Sequence, residues 1–112
     1  MEIAVTDLGR TARVALQGRL DTSGVQRVEA RFTASVVPDG RHALVDLSGV
    51  TFMSSMGIRM LITVARALRP RNARMVVFGA QPMVRESLEH VSLHAIIPLA
   101  TDEAAAAALL DA

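Results

Sequence analysis

Two adjacent hydroxyls are the most suggestive reactive groups in the chain. They are Ser54 and Ser55, within the run Asp46-Leu47-Ser48-Gly49-Val50-Thr51-Phe52-Met53-Ser54-Ser55-Met56-Gly57-Ile58-Arg59-Met60-Leu61. Here a strand ends, a short loop follows and a helix begins. A helix amino terminus carries about +0.5 elementary charge and unpaired N–H groups. A hydroxyl at that place has two readings. One is a helix cap, and Ser54 is placed for it, immediately before the first turn. The other is a phosphoacceptor, and Ser55 is placed for that. A phosphate there would lie against free N–H groups and the positive end of the dipole. Spacing alone leaves both readings open, with Ser54 as the second candidate acceptor.

No other residues assemble a catalytic set. The chain has no Lys, hence no phosphate-binding Gly-x-x-x-x-Gly-Lys loop, and no Gly-x-Ser-x-Gly turn. Asp46 would need a His or a second carboxylate close in sequence to act as a general base, and it has neither. It is read instead as a strand-end residue that hydrogen-bonds the following Ser48-Gly49 turn. His90 and His94 have helical i,i+4 spacing, but Ser92, Leu93 and the apolar run beyond argue against one continuous helix. With no Cys in the chain, neither a metal site nor a cofactor is expected.

The elements that must position the serines follow from periodicity. Glu2–Asp7 and Thr11–Gln17 alternate like half-buried strands, joined at Leu8-Gly9-Arg10 by a hairpin-length turn. Gly18-Arg19-Leu20-Asp21 is expected to break the second strand. A helix capped by Asp21 or Thr22 runs to about Val37, with Val25, Val28 and Phe32 on one face. Pro38-Asp39-Gly40 stops it. His42–Leu47 reads as a central strand, with the chain leaving the sheet over 48–53. The next helix runs from Ser54 to about Leu68 with a stripe of Ile58, Leu61, Ile62, Ala65 and Leu68, widened by Met60, Val64 and Ala67; Pro70 ends it. Ala73–Phe78 is a strand. Pro82 opens a helix carrying Met83, Val84, Leu88 and Val91. His94–Leu99 reads as a last short strand, which Pro98 places near an edge. Asp102-Glu103 start a final helix over Ala104–Leu110. The expectation is an α/β fold: one domain over residues 1–112, with a mixed, mostly parallel sheet of roughly four to five strands and about four helices.

Composition narrows the function classes. A chain of 112 residues is one domain at roughly 100–200 residues per domain. Hydrophobic residues at 51% and charged residues at 21% exclude disorder by composition. Twelve basic against 11 acidic residues leave a net charge of +1, and every basic residue is Arg. Arg10, Arg13 and Arg19 are dispersed, Arg66, Arg69, Arg71 and Arg74 surround one turn, and no Tyr or Trp interleaves them as a base-stacking platform. Nucleic acid is therefore not an expected partner. Stretches free of Asp, Glu and Arg, such as Leu47–Ile58, reach only 12 residues, too short for a membrane span. The first residues, Met1-Glu2-Ile3-Ala4-Val5, do not read as a signal peptide, so a cytoplasmic protein is the default.

At this point the chain resembles a family. The 46–58 run resembles the signature of STAS domains (sulphate transporter and anti-sigma factor antagonist), above all the small stand-alone bacterial anti-anti-sigma factors. Those proteins show Asp-Leu-Ser-x-Val-x-Phe-Met-Asp-Ser-Ser/Ala/Thr-Gly-Leu. This chain has Asp46-Leu47-Ser48, Val50, Phe52-Met53, then Ser54 in the Asp place, Ser55 at the phosphorylated serine, Met56 at the variable residue and Gly57-Ile58. Gly18-Arg19-Leu20-Asp21 resembles the family's Gly-x-Leu-Asp after the second strand. Length, element order and the Ala-rich end agree as well.

The resemblance implies a non-enzymatic partner switch. The unphosphorylated protein would bind a serine kinase of the histidine-kinase-like ATPase fold that is also an anti-sigma factor. Phosphorylation of Ser55 would break that complex, and a PP2C-type phosphatase would reset it. The implied partner-binding residues are Asp21, Thr22, Ser54, Ser55, Met56, Gly57 and Arg59, on a monomer or weak dimer. Ser54 departs from the pattern: it keeps an oxygen for the cap but removes a charge beside the acceptor. Met53 and Met60 read as core, and Met56 as part of an adaptable apolar rim. Three rivals remain: a non-switching scaffold subunit of a regulatory complex, a switch whose output is secretion or another non-transcriptional process, and a small enzyme or nucleotide-binding domain.

Overall fold

The alternating pattern at the amino terminus folds into an antiparallel hairpin of β1 (Glu2–Asp7) and β2 (Thr11–Leu20) in the computed structural model, which describes residues 1–111. Gly9 makes the turn with φ +84°, a conformation that costs glycine little. After the hairpin come α1 (Thr22–Val36), β3 (His42–Met53), α2 (Ser55–Leu68), β4 (Met75–Phe78), α3 (Pro82–His90), β5 (Leu99–Ala100) and α4 (Glu103–Asp111). The strands lie in the order β1-β2-β3-β4-β5, with every pair after the first parallel. The architecture is the expected α/β one, a mixed five-stranded sheet with four α-helices among the described residues.

Side-chain alternation along the strands splits the core into two layers. Val14, Leu16, Val45, Leu47 and Val77 point into one layer, which α1, α2 and α3 cover with Phe32, Leu61, Leu88 and their neighbours. Leu44, Val76 and Phe78 point the other way, beneath Ala106 and Leu110 of α4. Burying a large apolar side chain contributes roughly 1.5–3 kcal/mol. The buried Met60, Leu61, Val64 and Leu68 therefore fix α2 firmly against the sheet.

Six expectations need correction. The second strand does not break at Gly18, and the third does not end at Leu47. Both run on: beyond Gln17, which still faces Glu2 of β1, they pair with each other alone, from Gly18 opposite Val50 to Leu20 opposite Met53. Register shifts at Ala15/Gln17 and Gly18/Arg19 and a φ of +108° at Gly18 absorb the misfit, so glycines that look like strand breakers mark bulges. In α2 the buried stripe is Gly57, Met60, Leu61, Val64 and Leu68, while Ile58, Ile62 and Ala65 are only half-buried. His94–Leu99 is not a strand: a short 3-10 turn occupies Leu93–Ala95, and β5 is the two residues beyond Pro98. The strand expected from Ala73 begins at Met75, and α3 stops at His90, one residue short of an exposed Val91.

Candidate functional site

The β2–β3 ribbon projects past β4 and ends where α2 begins. Leu20, the last residue of β2, accepts the N–H of Ser54 at 3.0 Å and the hydroxyl of Ser54 at 2.7 Å. The same Ser54 Oγ accepts the Gly57 N–H at 3.2 Å, and the Ser54 carbonyl accepts the Ile58 N–H. Ser54 is thus the N-cap of α2, and its hydroxyl both accepts and donates. An ionised carboxylate is an acceptor only. It could take the Gly57 amide but could not donate to the Leu20 carbonyl.

Gly57 explains how the first turn comes so close. A Cβ on it would sit 2.8 Å from Leu20 Cγ and Cδ2 and from Met53 Sδ. Gly57 is buried, so it lets the helix close onto the ribbon and presents no side chain outward. Met53 and Met60 are core residues, as read from the sequence.

Ser55 lies one residue further on, exposed, and its hydroxyl makes no hydrogen bond among the described residues. The amides of Ser55 and Met56, the first two of the helix, are likewise unpaired there. Met56 is 37% exposed, and Arg59 is exposed one turn along. The bond between Ser54 and Leu20 brings the next residues of the chain, Asp21 and Thr22, to the same end of the sheet. Asp21 is the N-cap of α1 and accepts the Gly24 N–H at 2.8 Å. That hydrogen bond, followed by the charge of Arg19 at 3.6 Å, holds the Asp21 carboxyl below the ordinary carboxylate range. Two helix amino termini therefore lie side by side, one capped by a carboxylate and the other by a hydroxyl.

Three residues near this end have surroundings that the sequence alone does not disclose. Arg19 and Phe52 face each other across β2 and β3, with the guanidinium 4.4 Å from the ring centroid and both residues exposed. Their register could not be read once the two strands were ended early. Met83 was placed on a helical face, yet it is 78% exposed.

Asp46 belongs to a different place. It lies in mid-strand rather than at a strand end, and one of its oxygens does accept the Ser48 N–H, at 2.9 Å. The other accepts Arg13 Nη2 at 3.0 Å, and Arg13 also grips both oxygens of Glu103 at the start of α4. Burial pushes the Asp46 carboxyl up, but hydrogen bonds from Ser48 and the Arg13 guanidinium outweigh it and hold the carboxyl low. All three charges are spent on each other, and the Ser48 hydroxyl beside Asp46 adds a further hydrogen bond to that carboxylate. His90 closes α3 whereas His94 lies in the separate 3-10 turn, and the described residues contain no cluster of three or more metal-ligating side chains. No described helix is long and apolar enough to cross a membrane.

The end of the mixed sheet thus displays an exposed serine on the first turn of the second helix. Comparison with known proteins gives the class: residues 2–106 match the STAS domain, and the chain belongs to that family. It is 30% identical over 108 residues to BtrV of Bordetella bronchiseptica, provisionally named an anti-sigma factor antagonist, covering 96% of this chain and 93% of that one. The structure of the anti-sigma factor antagonist SpoIIAA in its unphosphorylated form is similar with a TM-score of 0.78 at 20% identity, over 99% of this chain and 98% of that one. The Bacillus cell-fate determinant SpoIIAA in its phosphorylated form is similar with a TM-score of 0.68 at 21% identity, over 96% and 99%. At such identities the two structures speak for the fold.

Proposed function

We propose that this protein is an anti-sigma factor antagonist, a non-enzymatic switch whose state is written on Ser55. Unphosphorylated, it binds a serine kinase of the histidine-kinase-like ATPase fold that doubles as the anti-sigma factor. The kinase transfers the γ-phosphoryl group of ATP to Ser55 Oγ: the bond to ADP breaks, a phosphate ester forms, and the serine proton leaves through the kinase. A PP2C-type phosphatase hydrolyses the ester and restores binding. Asp21, Thr22, Ser54, Met56 and Arg59 frame the contact surface around Ser55, with the buried Gly57 beneath it, where it allows the helix to approach the ribbon.

One observation carries this reading: of two adjacent serines, Ser54 has its hydroxyl fully engaged and Ser55 has not. A kinase needs a hydroxyl that can enter its active site without breaking the fold. Phosphorylating Ser54 would cost the cap and the link to β2. On Ser55 the phosphate would meet unpaired amides and the positive helix end, which favour an anion. A partner covering this surface would have to bury a hydrated dianion, at several kcal/mol unless new pairing compensates.

The test is incubation with the cognate kinase and ATP, followed by intact-mass and fragmentation analysis. We expect a single gain of about 80 Da, one phosphoryl group on a serine, located on Ser55 and absent from Ser55→Ala. Phosphate on Ser54, or undiminished labelling of Ser55→Ala, contradicts the assignment.

A further inference from the structure

The side of α2 that carries Ser55 looks across an open groove of about 510 Å³ towards α3. Ser55 and Ile58 line it on one side, and Met83, Glu86, His90 and Val91 on the other. Its lining is unusual for a monomer surface. Seven large hydrophobic residues are exposed in the whole described chain. Four of them, Phe52, Met56, Met83 and Val91, gather at this end of the molecule, with Met83 78% and Val91 52% exposed. Met83 and Phe52 also share an adjoining depression, so the apolar surface continues from the groove onto the β2–β3 ribbon. Exposed apolar surface rimmed by polar groups marks an interaction site.

Charge narrows the occupant. Glu86 projects into the groove with no cation to pair it among the described residues, because Arg85 on the same helix gives its guanidinium to Glu89 at 2.8 Å. We propose that the groove receives a segment of the kinase partner that carries an aliphatic side chain beside an Arg or Lys. The aliphatic chain would sit between Ile58, Met83 and Val91, and the cation would reach Glu86. This inference rests on the proposed function and names the chemistry of its partner. It also explains why a phosphate would be read so sharply. Ser55 adjoins the apolar seat, one turn from Ile58, so the dianion would face an aliphatic side chain that offers it no pairing.

The experiment is calorimetric titration of the kinase that modifies Ser55 against unphosphorylated variants, each first checked for a native melting curve. Glu86→Lys sets two cations against each other and should weaken binding by at least about tenfold. Met83→Ser and Val91→Ser remove apolar contact and should each cost roughly three- to tenfold. Glu29→Lys, an equally exposed position on α1, should stay within about twofold, as surface charge far from a contact does. If Glu86→Lys and Met83→Ser bind as tightly as the native protein while Ser55→Asp does not, the partner covers Ser55 without entering the groove and the inference falls. If Ser55→Asp itself binds normally, the proposed switch fails before the groove is in question.

Discussion

At the start of α2, the hydroxyl of Ser54 is committed twice while that of Ser55, its neighbour, is left free. Beneath α4, by contrast, Arg13, Asp46 and Glu103 satisfy one another, and Asp46 takes the Ser48 amide as well. Judged by residue type alone, the second region looks more like chemistry, with two carboxylates and a guanidinium gathered from β2, β3 and α4. Judged by what is left unpaired, the order reverses. The charged cluster clips α4 to the sheet, and its groups have little capacity left for a ligand. The serine pair separates its duties: one residue builds the helix end and the next stands clear of it. Spare hydrogen-bonding capacity in a fixed frame points to function better here than density of charge does.

The sharpest way to break this comparison is to put a charge on the free hydroxyl. Phosphorylated protein should lose binding to the kinase by over a hundredfold, which corresponds to about 3 kcal/mol. Ser55→Asp, with less charge and fewer oxygens, should lose at least about tenfold. Ser55→Ala should bind like the native form. Calorimetry with the three proteins decides it. Equal binding by the Asp and Ala variants would mean a constitutive scaffold, and the contrast between Ser54 and Ser55 would lose its meaning.

A smaller effect is expected at the other region, and there it should appear in stability. Arg13→Ala leaves Asp46 part-buried without its cation and frees Glu103, at a cost of about 1–2 kcal/mol. The pH dependence separates charge from packing, because Arg13 also lies 5.7 Å from the Phe78 ring centroid. The Asp46 carboxyl titrates below its ordinary range. Its ionised form therefore contributes stability that is complete above that range and is lost as pH falls through the lowered folded value. The gap between variant and native should be widest at neutral pH and should narrow below about pH 4, as Asp46 takes up a proton. Urea unfolding at both pH values measures it. An unchanged gap would mean that Arg13 acts through Phe78. Kinase binding by the folded variant should be normal.

How much of this was legible before folding depends on the reach of each interaction. The caps were readable, because Asp21 and Ser54 act on amides three residues away and the spacing is written in the chain. The fold class and the hairpin were readable for the same local reason. The ribbon was not. Gly18 and Gly49 signal a break locally, and only pairing between β2 and β3 makes them bulge and contact residues instead. The clip on α4 was not readable either, since Arg13 and Glu103 are 90 positions apart. Nor was the orientation of α2. Its run is apolar on nearly every side, and it is the close approach of Gly57 to Leu20 that selects which stripe is buried. For the candidate site, this meant that Ser54, Ser55 and Asp21 could be singled out, while Arg19, Phe52 and the α2–α3 groove needed the fold.

The smallest expected effect sharpens the comparison most, because it asks whether the displayed serine is structurally idle. Ser55→Asp should change unfolding free energy by no more than about 0.5 kcal/mol, as exposed substitutions do. A carboxylate on the first turn gains about 0.3–1 kcal/mol from the helix dipole, which offsets any loss of helix propensity. The cap itself is untouched, since Ser54 and not Ser55 holds the Gly57 amide and the Leu20 carbonyl. Amide NMR shifts should therefore move only around residues 52–60, while the ribbon and the core stay as they are. A loss on the order of 3 kcal/mol would show that Ser55 carries part of the fold after all. Shifts spreading across β2 and β3 would show that its charge is felt through the sheet. In that case the switch would work by internal rearrangement, and loss of binding could no longer be assigned to a charge placed on a rigid surface.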